Sequence, residues 1–189
     1  MTLRLGLAAL AFSLALAACE STEQTAELPS PPPPPPEFGI FPELVDYSPN
    51  YPPGTCVSRS EMMADQLAKL RTEMMVTGLT CPVSYRDPAL FSRYASFTVA
   101  HQERLREGQN TIGSLLARHL GGNRARRFDT YLTEMANSES MVASRISTGG
   151  YCQARREQFD TVLGYSAAEL TAYLEEAVDR HRDDYEVCE

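Results

Sequence analysis

The sequence predicts an all-α fold, an antiparallel helical bundle of four to five helices over residues 56–189. Three observations predict it. Apolar residues beyond Cys56 recur every three or four positions, the period of one helix face. Helix-start signals stand ahead of these runs at Ser58, Asp87, Asn123 and Ser166. Alternating β-branched runs flanked by hairpin turns are missing.

The first helix opens at Ser58-x-x-Glu61, a capping box in which the serine and glutamate reciprocally satisfy free backbone N–H groups. Met63, Leu67, Leu70 and Met74 form its seam, which extends to Cys81, and Pro82 ends it. The second helix starts at Asp87-Pro88 and runs to Gly121-Gly122, with Gly108 and Gly113 as places to bend or break. Phe91, Tyr94, Thr98, His101, Leu105, Ile112, Leu115 and His119 line one face of it. Asn123 caps the third helix, which turns Phe128, Leu132, Met135, Val142 and Ile146 inward and stops at Gly149-Gly150. A short fourth helix carries Cys152, Phe159, Val162 and Leu163. Ser166-x-x-Glu169 boxes the start of the fifth, with Leu170, Tyr173, Leu174 and Ala177 inward.

Residues 1–18 precede this domain with one positive charge, Arg4, and a long apolar run from Leu5. That is a secretory signal peptide, too short and too weakly flanked for a stable membrane span. Without Arg4 the mature chain has 16 Lys+Arg of the 17 in the full sequence against 25 Asp+Glu, a formal charge of −9. No nucleic-acid partner is expected of such a chain, because phosphate backbones attract the opposite sign. Four cysteines lie beyond Cys19: Cys56, Cys81, Cys152 and Cys188. An even count in an exported chain reads as two disulfides, with three pairings open. Topology selects among them. The first helix ends at Cys81, the second descends, the third returns, and Cys152 begins the fourth at the same end. Cys81–Cys152 is therefore expected, and Cys56–Cys188 follows by elimination.

Residues 19–55 form a tether. The run Pro31 to Pro36 takes the polyproline II form, a stiff spacer of about 3.1 Å per residue. Phe38 to Pro53 is an arm with Phe38, Ile40, Phe41, Leu44, Val45, Tyr47 and Tyr51 among prolines. That apolar content suits an arm lying on its own domain, or a docking strip for a partner.

Leu16-Ala17-Ala18-Cys19 resembles the lipobox of bacterial lipoproteins. The resemblance implies cleavage before Cys19, a diacylglycerol on its thiol and an acyl chain such as palmitate on the new amino terminus. Several chains anchor a protein to a membrane stably where one does not. Glu20 follows, where aspartate would signal inner-membrane retention, so the resemblance implies the outer membrane, facing the periplasm. Glu73-Met74-Met75-Val76 with Cys81, Glu134-Met135-Ala136-Asn137 and Gly150-Tyr151-Cys152 resemble a group of uncharacterised exported bacterial proteins with four cysteines and helical domains. That group implies no particular activity.

Several residues are candidates for chemistry. Folding the second and third helices back to back about Gly121-Gly122 brings His101 within about a turn of Glu139, a candidate polar core pair. His101, His119 and His181 lack metal spacing, and His119 sits in a last helical turn, where a cation favours the dipole. Met62, Met63, Met74 and Met75 have the soft thioethers of copper(I) sites, but seam methionines usually fill gaps. No metal or cofactor is expected. Arg118, Arg124, Arg126 and Arg127 crowd one turn of an acidic chain, a candidate anion-binding surface for lipid headgroups or an acidic envelope polymer. Residues 169–189 are acidic without the oxygen spacing of an EF-hand and read as a solvated face.

The function expected from these features is a non-enzymatic envelope lipoprotein, a tethered structural or interaction module with an envelope protein or acidic polymer as partner. A hydrolase or modifying enzyme with a carboxylate-based site is one alternative. A small-ligand or metal carrier within the bundle is the other.

Overall fold

A computed structural model gives the structure of residues 54–188. The chain divides into two compact units, Met1–Pro34 and Pro35–Glu189, and the described residues all belong to the second. The expected signal peptide, Cys19, the proline run and the apolar arm lie outside the described residues.

The described residues form seven α-helices and no strand. These are α1 (Arg59–Thr80), α2 (Pro82–Tyr85), α3 (Leu90–Ala100), α4 (Gln102–Leu120), α5 (Arg124–Arg145), α6 (Thr148–Val162) and α7 (Ala167–Arg180). The expectation of four to five helices is corrected at two places. The residues after Cys81 form the short α2, and the long second helix is divided at His101 into α3 and α4. Gly108 and Gly113, the expected weak points, lie inside α4 and are buried. A third boundary moves as well: Gly149 and Gly150 do not stop α5 but sit in the first turn of α6.

Local signals otherwise act as expected. Both capping boxes are formed, at Ser58 with Glu61 and at Ser166 with Glu169. The Asn123 side chain accepts from the Arg126 N–H. Gly121 and Gly122 adopt φ of 69° and 91°, a left-handed turn that glycine makes without a Cβ clash.

Helix α1 is the axis of the domain, packing against α3, α4, α5, α6 and α7. The named contacts give each direction. Glu61 meets Arg118 and Leu67 meets Gly108, so α4 is antiparallel to α1. Thr77 meets Tyr151 and Glu73 meets Gln158, so α6 is antiparallel too. Asp65 meets Tyr131 while Glu73 and Glu139 share Arg155, so α5 is parallel to α1. Because neighbours surround it, α1 buries far more than one seam: Met62, Leu67, Leu70, Met74 and Val76, and also Asp65, Gln66, Thr72 and Thr77.

Two apolar clusters stack along α1. One gathers Met74, Tyr85, Leu90, Tyr151, Phe159, Leu170 and Leu174. The other gathers Val57, Met62, Ile112, Leu115, Phe128, Tyr131 and Val178. Full burial of a side chain such as Phe159 or Leu174 contributes about 1.5–3 kcal/mol. The methionines expected to fill gaps do so: Met62 and Met74 are buried and Met63 and Met75 are packed against the clusters.

Both expected disulfides are formed. Cys81–Cys152 joins the end of α1 to the first turn of α6, across 71 residues and inside the core. Cys56–Cys188 joins the two ends of the domain across 132 residues. Beside it Val57 and Val187 make an isolated parallel bridge, with Val57 N–H donating to Glu186 O at 2.7 Å. The two disulfides indicate an oxidising, extracytoplasmic location. Among the described residues no helix is long and apolar enough to cross a membrane.

Candidate functional site

Two buried polar networks interrupt the apolar core, one beside each cluster. The larger centres on Arg155 of α6, whose side chain is 6% exposed. Its Nε and Nη2 donate to one carboxylate oxygen of Glu139 in α5, at 3.0 and 2.7 Å. Nη2 also donates to Glu73 of α1 at 3.2 Å, and Nη1 to Gln158 at 3.0 Å. Tyr151 donates to the same Glu139 oxygen at 2.7 Å, and its hydroxyl meets Thr77 Oγ1 at 3.2 Å. Gln158 Nε2 donates to Glu73 at 3.0 Å and to the Tyr173 hydroxyl at 3.3 Å. Four helices, α1, α5, α6 and α7, thus meet through one guanidinium and its neighbours.

Two carboxylates share that one cation. Desolvation pushes the Glu73 carboxyl above its ordinary range and the nearby Glu139 charge adds to this, while Arg155 pulls against both. Burial works against the Arg155 charge, but Glu73 and Glu139 outweigh it and the proton is held more firmly than in water. Burial and the Glu139 charge push the Tyr151 phenol far up, so it stays a donor. A half-buried acid of raised pKa beside a second carboxylate is what carboxylate-based hydrolysis requires. In this network the cation stands on both carboxylates, and the groups around it tie helix to helix.

The smaller network centres on Asp65 of α1, which is fully buried. It accepts from the hydroxyls of Tyr131 in α5 and Tyr185 in the C-terminal segment. Lys69 Nζ lies 3.6 Å from Oδ2, the oxygen that accepts from Tyr185, and Gln66 donates to the Tyr185 hydroxyl at 2.9 Å. Asp65 therefore ties the segment leading to Cys188 onto the axial helix.

The expected His101–Glu139 pair does not form. His101 caps the end of α3, packs its ring on Phe97 at 4.6 Å, and its Nε2 donates to Tyr165 O at 3.1 Å. Its division of the helix shifts everything upstream out of the simple antiparallel register. Glu139 is buried, as its position between Met135 and Val142 suggested, but Arg155 and Tyr151 hold it.

The four arginines flank the α4–α5 turn, where three of them have partners of their own. Arg127 donates to Gly121 O and Leu120 O, both at 2.7 Å, capping the free carbonyls at the end of α4. Arg118 pairs with Glu61 at 2.7 Å, and Arg124 donates to Ser114 Oγ at 3.3 Å. Arg126 is exposed. Leu120, the last residue of α4, is an exposed apolar side chain. His119 accepts at Nε2 from Arg118 and so carries its proton on Nδ1, which donates to Thr55 Oγ1 at 3.2 Å. His119 does sit in the last turn of α4, as expected, and its contact with Thr55 also ties the entry of the domain to this turn.

The opposite end of α1 is apolar at its surface. Leu79 and Val83 are 60% and 90% exposed, and Phe91 is 43% exposed against Gly78. Among the described residues no group of three or more His, Cys, Asp or Glu side chains is placed to hold a metal ion.

Sequence reasoning missed Arg155, Glu73 and Asp65. Asp65-x-x-x-Lys69 has the spacing of an ordinary surface pair, and nothing local says that α1 is surrounded on all sides. Arg155 follows Cys152 by three residues, and its burial depends on the disulfide that draws α6 against α1. No family model, curated protein sequence or solved structure matches this chain.

Proposed function

We propose that this chain is an exported lipoprotein whose helical domain, carried on lipid-bearing Cys19 by a proline tether, works in the periplasm as an interaction module. Glu20 after the anchor favours the outer membrane. The observation that carries the reading is the polarity of the domain. The chain enters at Gly54–Cys56, beside the start of α1. Leu79, Val83 and Phe91 stand exposed at the other end of that helix, about 33 Å away at 1.5 Å per residue. A domain held at one pole that leaves three large apolar side chains in water at the other supports a partner-facing role.

The carboxylate-based hydrolase has its best candidates in Glu73 and Glu139. Their shared Arg155, with Tyr151 and Gln158, supports a structural use for both instead. The carrier reading finds less support, since the centre of the bundle is filled by α1.

The test is photo-crosslinking in the native envelope. A crosslinkable residue at position 83 is expected to capture a discrete envelope protein, and one at exposed Thr130 of α5 is not. Equal labelling from both positions, or none from position 83, overturns the interaction reading. The mass of the N-terminal peptide from the same envelope reads acylation of Cys19 independently.

A further inference from the structure

We infer that the α4–α5 turn is a membrane-facing tip that binds anionic phospholipid headgroups. The inference deepens the lipoprotein reading above and rests on it for the orientation it describes. Arg118, Arg124, Arg126 and Arg127 flank the α4–α5 turn, and the acid paired there is Glu61. Glu61 already pairs with Arg118, and among the described residues Arg124 and Arg126 make no ion pair.

Two further observations point to a lipid surface in place of a soluble polymer. Leu120, 42% exposed, ends α4 at this turn, and its carbonyl oxygen accepts from Arg127. A basic patch with an apolar side chain at its crest suits the boundary between headgroups and acyl chains. The second observation is the Thr55–His119 hydrogen bond, which fixes the entry of the chain against this turn. This tip therefore lies beside the first described residues of the domain.

Residues 20–53 are enough chain to reach roughly 100 Å at about 3.1 Å per residue, so their length does not dictate which side of the domain meets the bilayer. Charge then decides which side faces the bilayer. Arg59 and Glu61 are two residues apart, about 200° around α1, and they contact α7 and α4 respectively. The basic tip and the acidic α7 side therefore lie on opposite flanks of α1. Glu175, Glu176, Asp179, Asp183, Asp184 and Glu186 are exposed on or after α7 and are repelled by an anionic surface. Arg59 and Arg180 pair with Asp179 and Glu176, and Arg182 is exposed nearby, yet the α7 side keeps more acids than bases, so an anionic membrane favours the arginine flank. Each basic residue near such a surface improves partition about five-fold. The tip is too weak an anchor alone and becomes effective once lipid on Cys19 raises the local headgroup concentration.

The test uses the mature chain from residue 19 with Cys19→Ser, so that no acyl chain contributes. Its partition is measured by co-sedimentation with vesicles of phosphatidylglycerol and phosphatidylcholine, and with phosphatidylcholine alone. Binding to the anionic vesicles that fades with salt is expected. Arg124→Glu with Arg126→Glu is expected to lower it at least about 25-fold, and Leu120→Ser to lower it at constant salt dependence. Equal partition onto both vesicle types, or no change in the arginine variant, overturns the inference. So does displacement by inorganic phosphate at matched ionic strength, which would assign a discrete phosphate site instead. Arg126→Glu alone touches no internal contact and separates loss of binding from loss of fold. Failure of Cys19 acylation in the envelope removes the lipoprotein reading but leaves these vesicle outcomes standing.

Discussion

Arg155 shows how one residue decides what a buried region can be. Its guanidinium is taken out of water together with Glu139, and each is acceptable there only because the other is present. Arg155→Met keeps much of the volume but leaves the Glu139 charge with one phenol for company. Loss of about 3–5 kcal/mol in urea denaturation under non-reducing conditions is expected. Adding Glu139→Gln to that variant should recover a good part of the loss, because the uncompensated charge is then gone. If the double variant is as weak as the single, packing around Arg155 and not charge is what matters. Of this network the sequence made only Glu139 legible. Its inward position follows from helical period, but its partner depends on how α6 lies against α1 and α5, which no local pattern records.

At the scale of elements, caps were legible and the division of the second helix was not. Both capping boxes carry their whole mechanism within four residues. The division at His101 is fixed instead by Tyr165 O, 64 positions away. Gly108 and Gly113 looked like flexible points, yet each serves close packing. A Cβ on Gly108 would lie 3.1 Å from Leu67, and one on Gly113 would lie 2.8 Å from the Arg124 carbonyl oxygen. The buried stripe of α5 was legible in part, at Phe128 and Met135. Phe128, Tyr131, Met135, Glu139 and Ala143 are inside, while Leu132, Val142 and Ile146 are only half-buried. Apolarity pointed to the latter; burial of Tyr131 and Glu139 required polar partners elsewhere. Two alanine substitutions separate propensity from packing. At Gly149 a Cβ meets nothing within 4 Å, so Gly149→Ala should stabilise by about 0.5–1 kcal/mol. At Gly113 the same propensity gain is set against a backbone clash, so Gly113→Ala should destabilise by about 1–3 kcal/mol. Thermal melts of the two variants check the opposite signs.

For the whole molecule, the disulfides are where the sequence was most informative. Their pairing followed from counting which helix ends share a pole, and that count survives the splitting of a helix because His101 bends the path without reversing it. The two staples should not be equivalent in effect, even though their loops are similar on a logarithmic scale. Closing 71 residues and closing 132 residues differ by only about 0.5 kcal/mol in chain entropy, at roughly 4.4 and 5.0 kcal/mol. What surrounds them differs far more. Cys81 and Cys152 sit inside the core beside Tyr85, whose hydroxyl donates to Cys152 O at 2.7 Å. Replacing both by serine places two hydroxyls in that apolar site and loosens α6, hence Arg155, from α1. Cys56–Cys188 instead holds a short segment that also has the Val57–Val187 bridge and the Asp65–Tyr185 contact. Cys56→Ser with Cys188→Ser should therefore melt lower but as one transition, with hydrogen-exchange protection lost mainly over residues 185–188. Cys81→Ser with Cys152→Ser should lose protection across α6 and α7 as well. If the first pair also exposes α6, the domain is a single cooperative unit held from its ends, and the internal staple is not what fixes the Arg155 junction.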